Sequence, residues 1–377
     1  MTTLRTEPVQ RGLTALAGQG LEWEPFSRAA MDVLRRAVPF DAACMGPADP
    51  ATGLLTGAAK HGLPDTRDTE FFQHEYLTDE VNLFADLARR PSPVGILADD
   101  SDGDPARSSR HRDYFMPYYS LEHELRASMV ADGQVWGTLA LYRSSGSSGF
   151  SPAEAAFLGR VAQTLAVGIR AGLVAESVRA LSPLPAGPAV LVVGGRNDVL
   201  QVSPMAELRL VELGGSAWEA LPAPVGSIVA AARRVHPDGA TVPRLRVRTP
   251  SGEWLVVHAS PLASRDGSGT QVVVTLEEAR PPEIVPLVVA AFGLTDRERD
   301  VVGGLLDGQD TREIAAALHL SPYTVQDHLK SVFEKAGVNS RRELVAKVFF
   351  DQYVPRFGAG LRPSGWYAAV PTPAVPV

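Results

Sequence analysis

The sequence predicts a multidomain protein in which two α+β segments precede an all-α module of four short helices. Three observations predict it. From Leu294 to Phe350, helix start and stop signals recur at short, regular intervals. Upstream, short runs of alternating apolar residues are interleaved with helical stretches and punctuated by Gly and Asp turns, the pattern of mixed sheets. Between the two upstream segments the chain passes through LSPLPAGP (181–188), a Pro/Gly-rich linker. A length of 377 residues suits two or three domains, each able to bury its own core.

In chain order, residues 9–38 read as a helical start with Leu13, Leu16, Leu21, Trp23, Phe26, Ala30, Val33 and Leu34 as apolar positions, ended by Pro39. FDAACMG (40–46) and TGLLTGAAK (52–60) read as strands. EFFQHEYL (70–77) and VNLFADLARR (81–90) read as helical, and PVGILA as a short strand. DDSDGDPARSSRHRD reads as a loop by composition. RASMVADGQVWGTLALYR is expected to form a hairpin turning at Asp132-Gly133. Ser151, Pro152 and Glu154 start a long apolar helix lasting to about 178.

After the linker, AVLVVGGRNDVLQVSP reads as strand, Gly-Gly turn and strand. Two helical stretches, MAELRLVEL and SIVAAARRV, precede a hairpin about Ser251-Gly252 and a final strand, TQVVVTLEE. Arg244, Arg246 and Arg248 alternate with Leu245 and Val247 and so share one strand face. A solvated face is the ordinary reading, and an anion site the sharper one. ARPPEIVPLV leads into the C-terminal module, and the Pro-rich end of the chain (358–377) is expected to be a flexible tail.

In the C-terminal module, Thr295 and Glu298 form a capping box, and Val301, Val302, Leu305 and Leu306 follow at helical spacing until Gly308. A second helix opens at Asp310 or Thr311, with Ile314, Ala315 and Leu318 inward. Ser321 caps a third with Pro322 at its first position. Its apolar stripe is Val325, Leu329, Val332 and Phe333, closed by Gly337. A fourth starts near Ser340 with Leu344, Val345 and Val348 inward. A short helix, a tight turn and a longer polar helix make a helix-turn-helix, whose outer face carries Tyr323, Thr324, Gln326, Asp327, Lys330 and Ser331.

LTDRERDVV, TREIAAALHLSPYTVQDHLK and EKAGVNSRREL resemble the LuxR-type (GerE-like) DNA-binding domain. The resemblance implies base reading by Gln326, Asp327 and Lys330, backbone contacts from Thr311, Ser321, Tyr323 and Thr324, and a dimer contact through Val345, Val348 and Phe349. Many relatives carry a basic residue in place of Gln326 and an apolar one in place of Asp327, so the operator is expected to differ. Gln pairs with adenine and Asp accepts from cytosine N4. PVGIL, HELR (123–126), QVWGTLALYR and FSPAEAAFL resemble a GAF domain, and the second segment resembles the PAS arrangement. The expected domains are therefore GAF-like over 9–178, a linker over 179–188, PAS-like over 189–280 and LuxR-type over 285–354.

Charge tempers the DNA reading. The chain carries a formal net charge of −7, and Ser321 to Lys347 hold five Lys/Arg against three Asp/Glu, only +2. Binding must then rest on placement and dimerisation more than on bulk charge. One cysteine, Cys44, excludes an intramolecular disulfide and a Cys-based zinc site. G-x-S-x-G, H-E-x-x-H, Walker A and G-x-G-x-x-G motifs are absent, so neither a catalytic residue nor a cofactor is assigned. No metal site is assigned either, because in the acidic run Asp99–Asp104 a Pro105 stands where an EF-hand turn needs glycine. Scattered histidines (His61, His74, His111, His123) read as ordinary polar residues. Phe71, Tyr76, Tyr114, Tyr118 and Trp136 belong to a dense aromatic set that either packs a core or lines a ligand pocket.

The expectation is a cytoplasmic homodimeric regulator that is not an enzyme. It would bind double-stranded DNA as an inverted repeat and respond to a small-molecule effector, with no membrane partner. The alternatives are a ligand-binding enzyme or a protein-interaction scaffold carrying an appended helical module.

Overall fold

The hairpin expected at Asp132-Gly133 is the centre of the first sheet. Both turn residues adopt positive φ (52° and 73°), the mirror-image turn whose twist matches the strands it joins. Its arms are β4 (Leu121–Ala131) and β5 (Gln134–Ser144), flanked by β1 (Ala42–Pro47), β2 (Ala59–His61) and β3 (Val94–Ile96) in the order β2-β1-β5-β4-β3. The computed structural model describes residues 6–64, 67–175, 189–216, 218, 220–234, 243–265 and 269–350. The linker expected over 179–188 and the tail over 358–377 lie outside the described residues.

Helices α1 (Thr6–Ala17) and α2 (Trp23–Leu34) replace the single helical start, divided at Gly20, whose φ of 65° no helix accommodates. The crossover from β2 to β3 holds α3 (Asp68–Tyr76) and α4 (Phe84–Leu87); that from β3 to β4 holds α5 (Leu97–Asp100) and α6 (Met116–Tyr119). The expected loop over 99–113 is partly helical, with a 3-10 turn at Pro105–Arg107 and a π turn at His111–Phe115. The strand expected over 52–60 shrinks to three residues. Leu54 and Leu55 turn instead into two apolar clusters, one of them the core of the second sheet. Helix α7 (Pro152–Leu173) starts with the expected Ser151/Glu154 capping box and packs on β3, β4 and β5 beside α1 and α2.

A second five-stranded sheet repeats that order by chain position. β6 (Ala189–Val193), β7 (Val199–Val202), β8 (Arg244–Arg248), β9 (Trp254–Pro261) and β10 (Val272–Glu278) run β7-β6-β10-β9-β8. Helices α8 (Pro204–Glu212) and α9 (Ala223–Arg234) supply Leu210, Val225, Ile228 and Val229 to its core.

The two sheets belong to one compact unit, Met1–Ser251 with Leu255–Glu278. Residues 48–57 of the first are clamped against the second. The Leu55 amide donates to the Tyr76 hydroxyl of α3 (3.1 Å), and its carbonyl accepts from Ser227 of α9 (2.8 Å). Phe72 of α3 leans on Gly226, where a Cβ would sit 2.5 Å from its ring, so only glycine fits. Buried Asp49 accepts from the Arg246 amide (2.7 Å) and guanidinium (3.1 Å), while Arg248 donates to the Leu173 and Ala175 carbonyls. Of the arginine face, Arg244 is exposed, as a solvated face predicts, whereas Arg246 and Arg248 are docking residues. Non-local partners decided this, and strand alternation cannot name them.

In the second unit, Gly252–Trp254 with Ala279–Val377, the described residues from Pro281 to Phe350 are mostly helical. α10 (Pro281–Ala291) was not expected as a helix, because Pro281, Pro282 and Pro286 hide it. The first two sit at its opening positions, where a missing N–H costs nothing. α11 (Asp296–Leu306), α12 (Thr311–Ala317), α13 (Pro322–Ala336) and α14 (Arg341–Val345) follow with the expected caps, and a π turn (Ala346–Phe350) packs against α10.

Candidate functional site

The turn between α12 and α13 is built by His319, which takes φ of 56°. The Leu320 amide returns to the Ala315 carbonyl (2.8 Å) and the His319 amide to that of Ala316 (3.4 Å), a Schellman closure with histidine where glycine is usual. α13 then buries Val325, Leu329, Val332 and Ala336. The opposite side presents Gln326, Asp327 and Lys330 to solvent, with Tyr323 73% exposed at its start.

Several residues expected on the outer face are engaged within the unit. Ser321 caps α13 by accepting the Thr324 amide (3.0 Å), and the two hydroxyls share a hydrogen bond (2.8 Å). Ser331 donates to Glu298 (2.6 Å), so it faces α11 rather than outward. Thr311 accepts from Arg341 (2.8 Å), which also donates to the Gln309 carbonyl (3.1 Å). Arg341 escaped the sequence reading. The signal was there: an arginine beside the positive end of a helix dipole has no local reason to be placed there.

The five positive charges of 321–347 divide accordingly. Lys335 pairs with Glu298 (2.6 Å), Arg341 anchors α12, and Lys347 donates to the Ala336 carbonyl at the end of α13 (2.9 Å). Lys330 and Arg342 are exposed, with no hydrogen bond or ion pair among the described residues. Of the expected dimer residues, Val348 is only 1% exposed and so buried within its own unit. Val345 is half-buried, and the side chain of Phe349 lies outside the described residues. Val348 thus lies inward, as helical spacing predicts, and offers almost no surface for the dimer contact that the resemblance implies.

Glu298 ties α11 to the outer helix. Burial raises its pKa, but hydrogen bonds from Lys335, Ser331 and Thr295 outweigh this and hold it at about 2. A folded pKa below the ordinary value of 4.5 adds stability that is present above pH 4.5 and lost as pH falls toward 2. Glu298→Gln is expected to cost this unit about 2 kcal/mol at pH 7 and far less at pH 2. Denaturant titration at both pH values checks this, and equal losses would remove the electrostatic explanation.

In the first domain the five aromatic residues do not meet in one pocket. Phe71 and Tyr114 join a packed cluster with Phe84, Phe115, Tyr119 and Tyr142. Tyr76 belongs to the seam with α9. Trp136 donates to the Ala131 carbonyl and lies 5.7 Å from the Arg170 guanidinium. Tyr118 is 48% exposed under the Arg67 guanidinium, at 3.9 Å.

The sequence reading missed the polar knot beside that cluster. Arg110, Arg126, Glu75 and Glu124 are buried together. Arg126 donates to Glu75 (2.6 Å) and the Asn82 carbonyl (2.9 Å), and Arg110 to Glu124 (2.8 Å) and the Val81 carbonyl (3.0 Å). Burial raises the Glu124 pKa, but the two guanidinium groups bring it below the usual value. Glu124 and Arg126 lie two apart in a largely buried strand, the one local hint that both point the same way. Among the described residues, no group of three or more His, Cys, Asp or Glu is arranged to hold a metal ion.

Residues 293–348 match the family model of bacterial regulatory proteins of the luxR family, and residues 22–169 that of the GAF domain. Transcriptional regulatory protein UhpA of Escherichia coli (strain K12) is 46% identical over 56 residues, 15% of this chain and 29% of that protein. Probable transcriptional regulatory protein NarL of Mycobacterium tuberculosis (strain ATCC 25618 / H37Rv) is 41% identical over 54 residues, 14% of this chain and 25% of its own length. The chain thus spans less than a third of these curated relatives. Among solved structures, the phycoerythrobilin-bound GAF domain of a cyanobacterial phytochrome is 19% identical, with 45% of this chain and 97% of that one covered (TM-score 0.31). The Vibrio cholerae VqmA dimer is likewise 19% identical, with 43% and 81% covered (TM-score 0.21). With matched segments that take in the first sheet with helices α2 to α7, and α11 to α14, the chain carries a GAF domain followed by a LuxR-type helix-turn-helix domain.

Proposed function

We propose that this chain is a sequence-specific DNA-binding transcriptional regulator whose DNA reading responds to a signal received by its N-terminal domains. The observation that carries the reading is the division of α13: an apolar seam inward, and Tyr323, Gln326, Asp327 and Lys330 in solvent on the luxR-family domain. Gln326 and Asp327 carry acceptors and donors suited to base edges, and Lys330 suits a phosphate or a guanine. The internal duties of Lys335, Arg341 and Lys347 leave Lys330 and Arg342 as the exposed charge of the region, so affinity rests on few phosphate contacts.

In this reading the protein is cytoplasmic and acts as a homodimer on an inverted repeat, with Val345 among the residues available to the dimer contact. The PAS-like reading of 189–280 is supported by the 2-1-5-4-3 order of the second sheet. That the curated relatives are named as regulators supports a regulatory role over a catalytic one.

Genomic fragments retained by the full chain supply the operator. On it, Gln326→Ala is expected to weaken binding by about 1–3 kcal/mol, and Lys330→Ala to lower the salt slope by about 1. Both variants keep the native circular dichroism, because both side chains are exposed. Gel shifts across a salt series check this, and unchanged affinity in both variants would sink the site assignment.

A further inference from the structure

Among the described residues, Tyr323 is the most exposed large apolar side chain, at 73%, ahead of Trp218 and Val211. It makes no hydrogen bond, ion pair or ring contact with any of them. A single exposed aromatic is ordinary on a protein surface; its place in the fold sets this one apart. Tyr323 is the second residue of α13, and Gln326, Asp327 and Lys330 follow it three, four and seven positions on. That spacing puts all four on one face as a continuous ridge. A recognition helix meets base edges with its N-terminal residues, and Tyr323 stands at that end.

We propose that the ring of Tyr323 reads the 5-methyl group of a thymine in the major groove, instead of making the backbone contact that the family resemblance implies. The polar groups around it favour this. Ser321 accepts the Thr324 amide (3.0 Å), and the hydroxyls of Ser321 and Thr324 share a hydrogen bond (2.8 Å). Pro322 has no N–H to offer. With these groups spent on the cap or missing, what this end of α13 presents to DNA is mainly the aromatic ring.

The neighbours on the ridge point to the same base pair type. Gln326 suits the N6 and N7 of adenine, and an A·T pair shows the thymine methyl in the same groove. Side chains three apart on a helix have Cβ atoms about 5–6 Å apart, between one and two base-pair steps of about 3.4 Å. Tyr323 and Gln326 therefore reach one A·T pair or two adjacent pairs. An apolar ring on the methyl adds what Gln326, Asp327 and Lys330 cannot, since each of these ends in a polar group. Methyl reading presupposes the DNA-binding function proposed above and deepens it.

Gel shifts of the full chain on its retained operator test this, with each thymine replaced in turn by deoxyuridine. Deoxyuridine keeps the pairing edge and O4 and lacks only the methyl. At one thymine, or its two-fold equivalent, the exchange is expected to weaken the wild-type chain about threefold or more, the scale of one methyl group withdrawn from water. Tyr323→Ala is expected to bind the two duplexes alike at that position. Tyr323→Phe is expected to keep the discrimination, because the ring and not the hydroxyl makes the contact. Ratios taken within each variant cancel any loss of folded protein, and comparison between variants cancels any effect of the exchange on the DNA itself. The proposal is overturned if no exchange weakens the wild-type chain, if Tyr323→Ala discriminates as the wild type does, or if Tyr323→Phe discriminates no better than Tyr323→Ala. Retention of no DNA by the full chain overturns the regulator reading and the methyl contact together. Firm operator binding with a flat deoxyuridine series removes the methyl contact alone.

Discussion

Replacing Arg126 with methionine is expected to destabilise the GAF domain by about 3–5 kcal/mol, the cost of breaking a buried ion pair from one side. Arg126 is fully buried. It holds Glu75 at 2.6 Å and the Asn82 carbonyl at 2.9 Å, and it lies 3.6 Å from the centre of the Phe84 ring. Two guanidinium groups balance two carboxylates in this knot, so its removal leaves Glu75 and Glu124 facing Arg110 alone. Methionine keeps most of the volume, so the loss reports charge more than a void. Hydrogen exchange across β4 and α3 locates the effect, and denaturant unfolding measures it. The double variant Glu75→Met with Arg126→Met restores neutrality and is expected to lose about 1–3 kcal/mol less than the sum of the singles. Strict additivity would mean that the two residues do not act as a pair.

Replacing Arg246 with methionine is expected to loosen the seam between the two sheets by about 3 kcal/mol, since it strands the buried Asp49 carboxylate. Asp49 also accepts the Ala51 amide (2.9 Å), and its own carbonyl closes the turn through Thr52 and Gly53. Loss of its charge partner should therefore be felt along 48–57. Faster amide exchange at Leu55, whose N–H and C=O are held by α3 and α9, is the direct readout. Adding Asp49→Asn to Arg246→Met is expected to recover at least about 1 kcal/mol by removing the stranded charge. If Leu55 exchanges at its native rate in Arg246→Met, the ion pair does not hold the seam.

Local sequence patterns mark Arg246 and Arg126 but do not name the partners, Asp49 and Glu75, on which these two effects depend. Thr295 with Glu298, Ser151 with Glu154, and Ser321 with Pro322 each announce a helix start within a few residues, and each stands in the structure as a cap. The Asp132-Gly133 turn is equally local. Helix α10 was hidden because proline is read as a breaker, although at the first positions of a helix it breaks nothing. The short β2 and the helical turns within 99–113 were misread for different reasons. Leu54 and Leu55 are apolar in any pattern, and only their packing partners choose between strand and core contact, while 99–113 is polar enough to read as loop although it holds helical turns.

At the DNA-reading domain, the exposed ridge Gln326, Asp327 and Lys330 follows from helical spacing alone, since burial of Val325, Leu329 and Val332 leaves it outward. The internal tasks of Ser331, Lys335 and Arg341 do not, because their partners Glu298, Gln309 and Thr311 sit about 30 residues or more away. The same holds for Arg246, whose partner Asp49 is 197 residues distant. By itself the sequence determined the order of elements, their caps, the helix-turn-helix and its outer face. All of these rest on interactions between neighbours within one or two helical turns. Tertiary structure alone decided which charges are spent inside the fold, which aromatic residues pack a core, and where the two sheets clasp each other. An ion pair or hydrogen bond is chosen by what folding brings within about 3 Å, and chain separation carries no record of that choice.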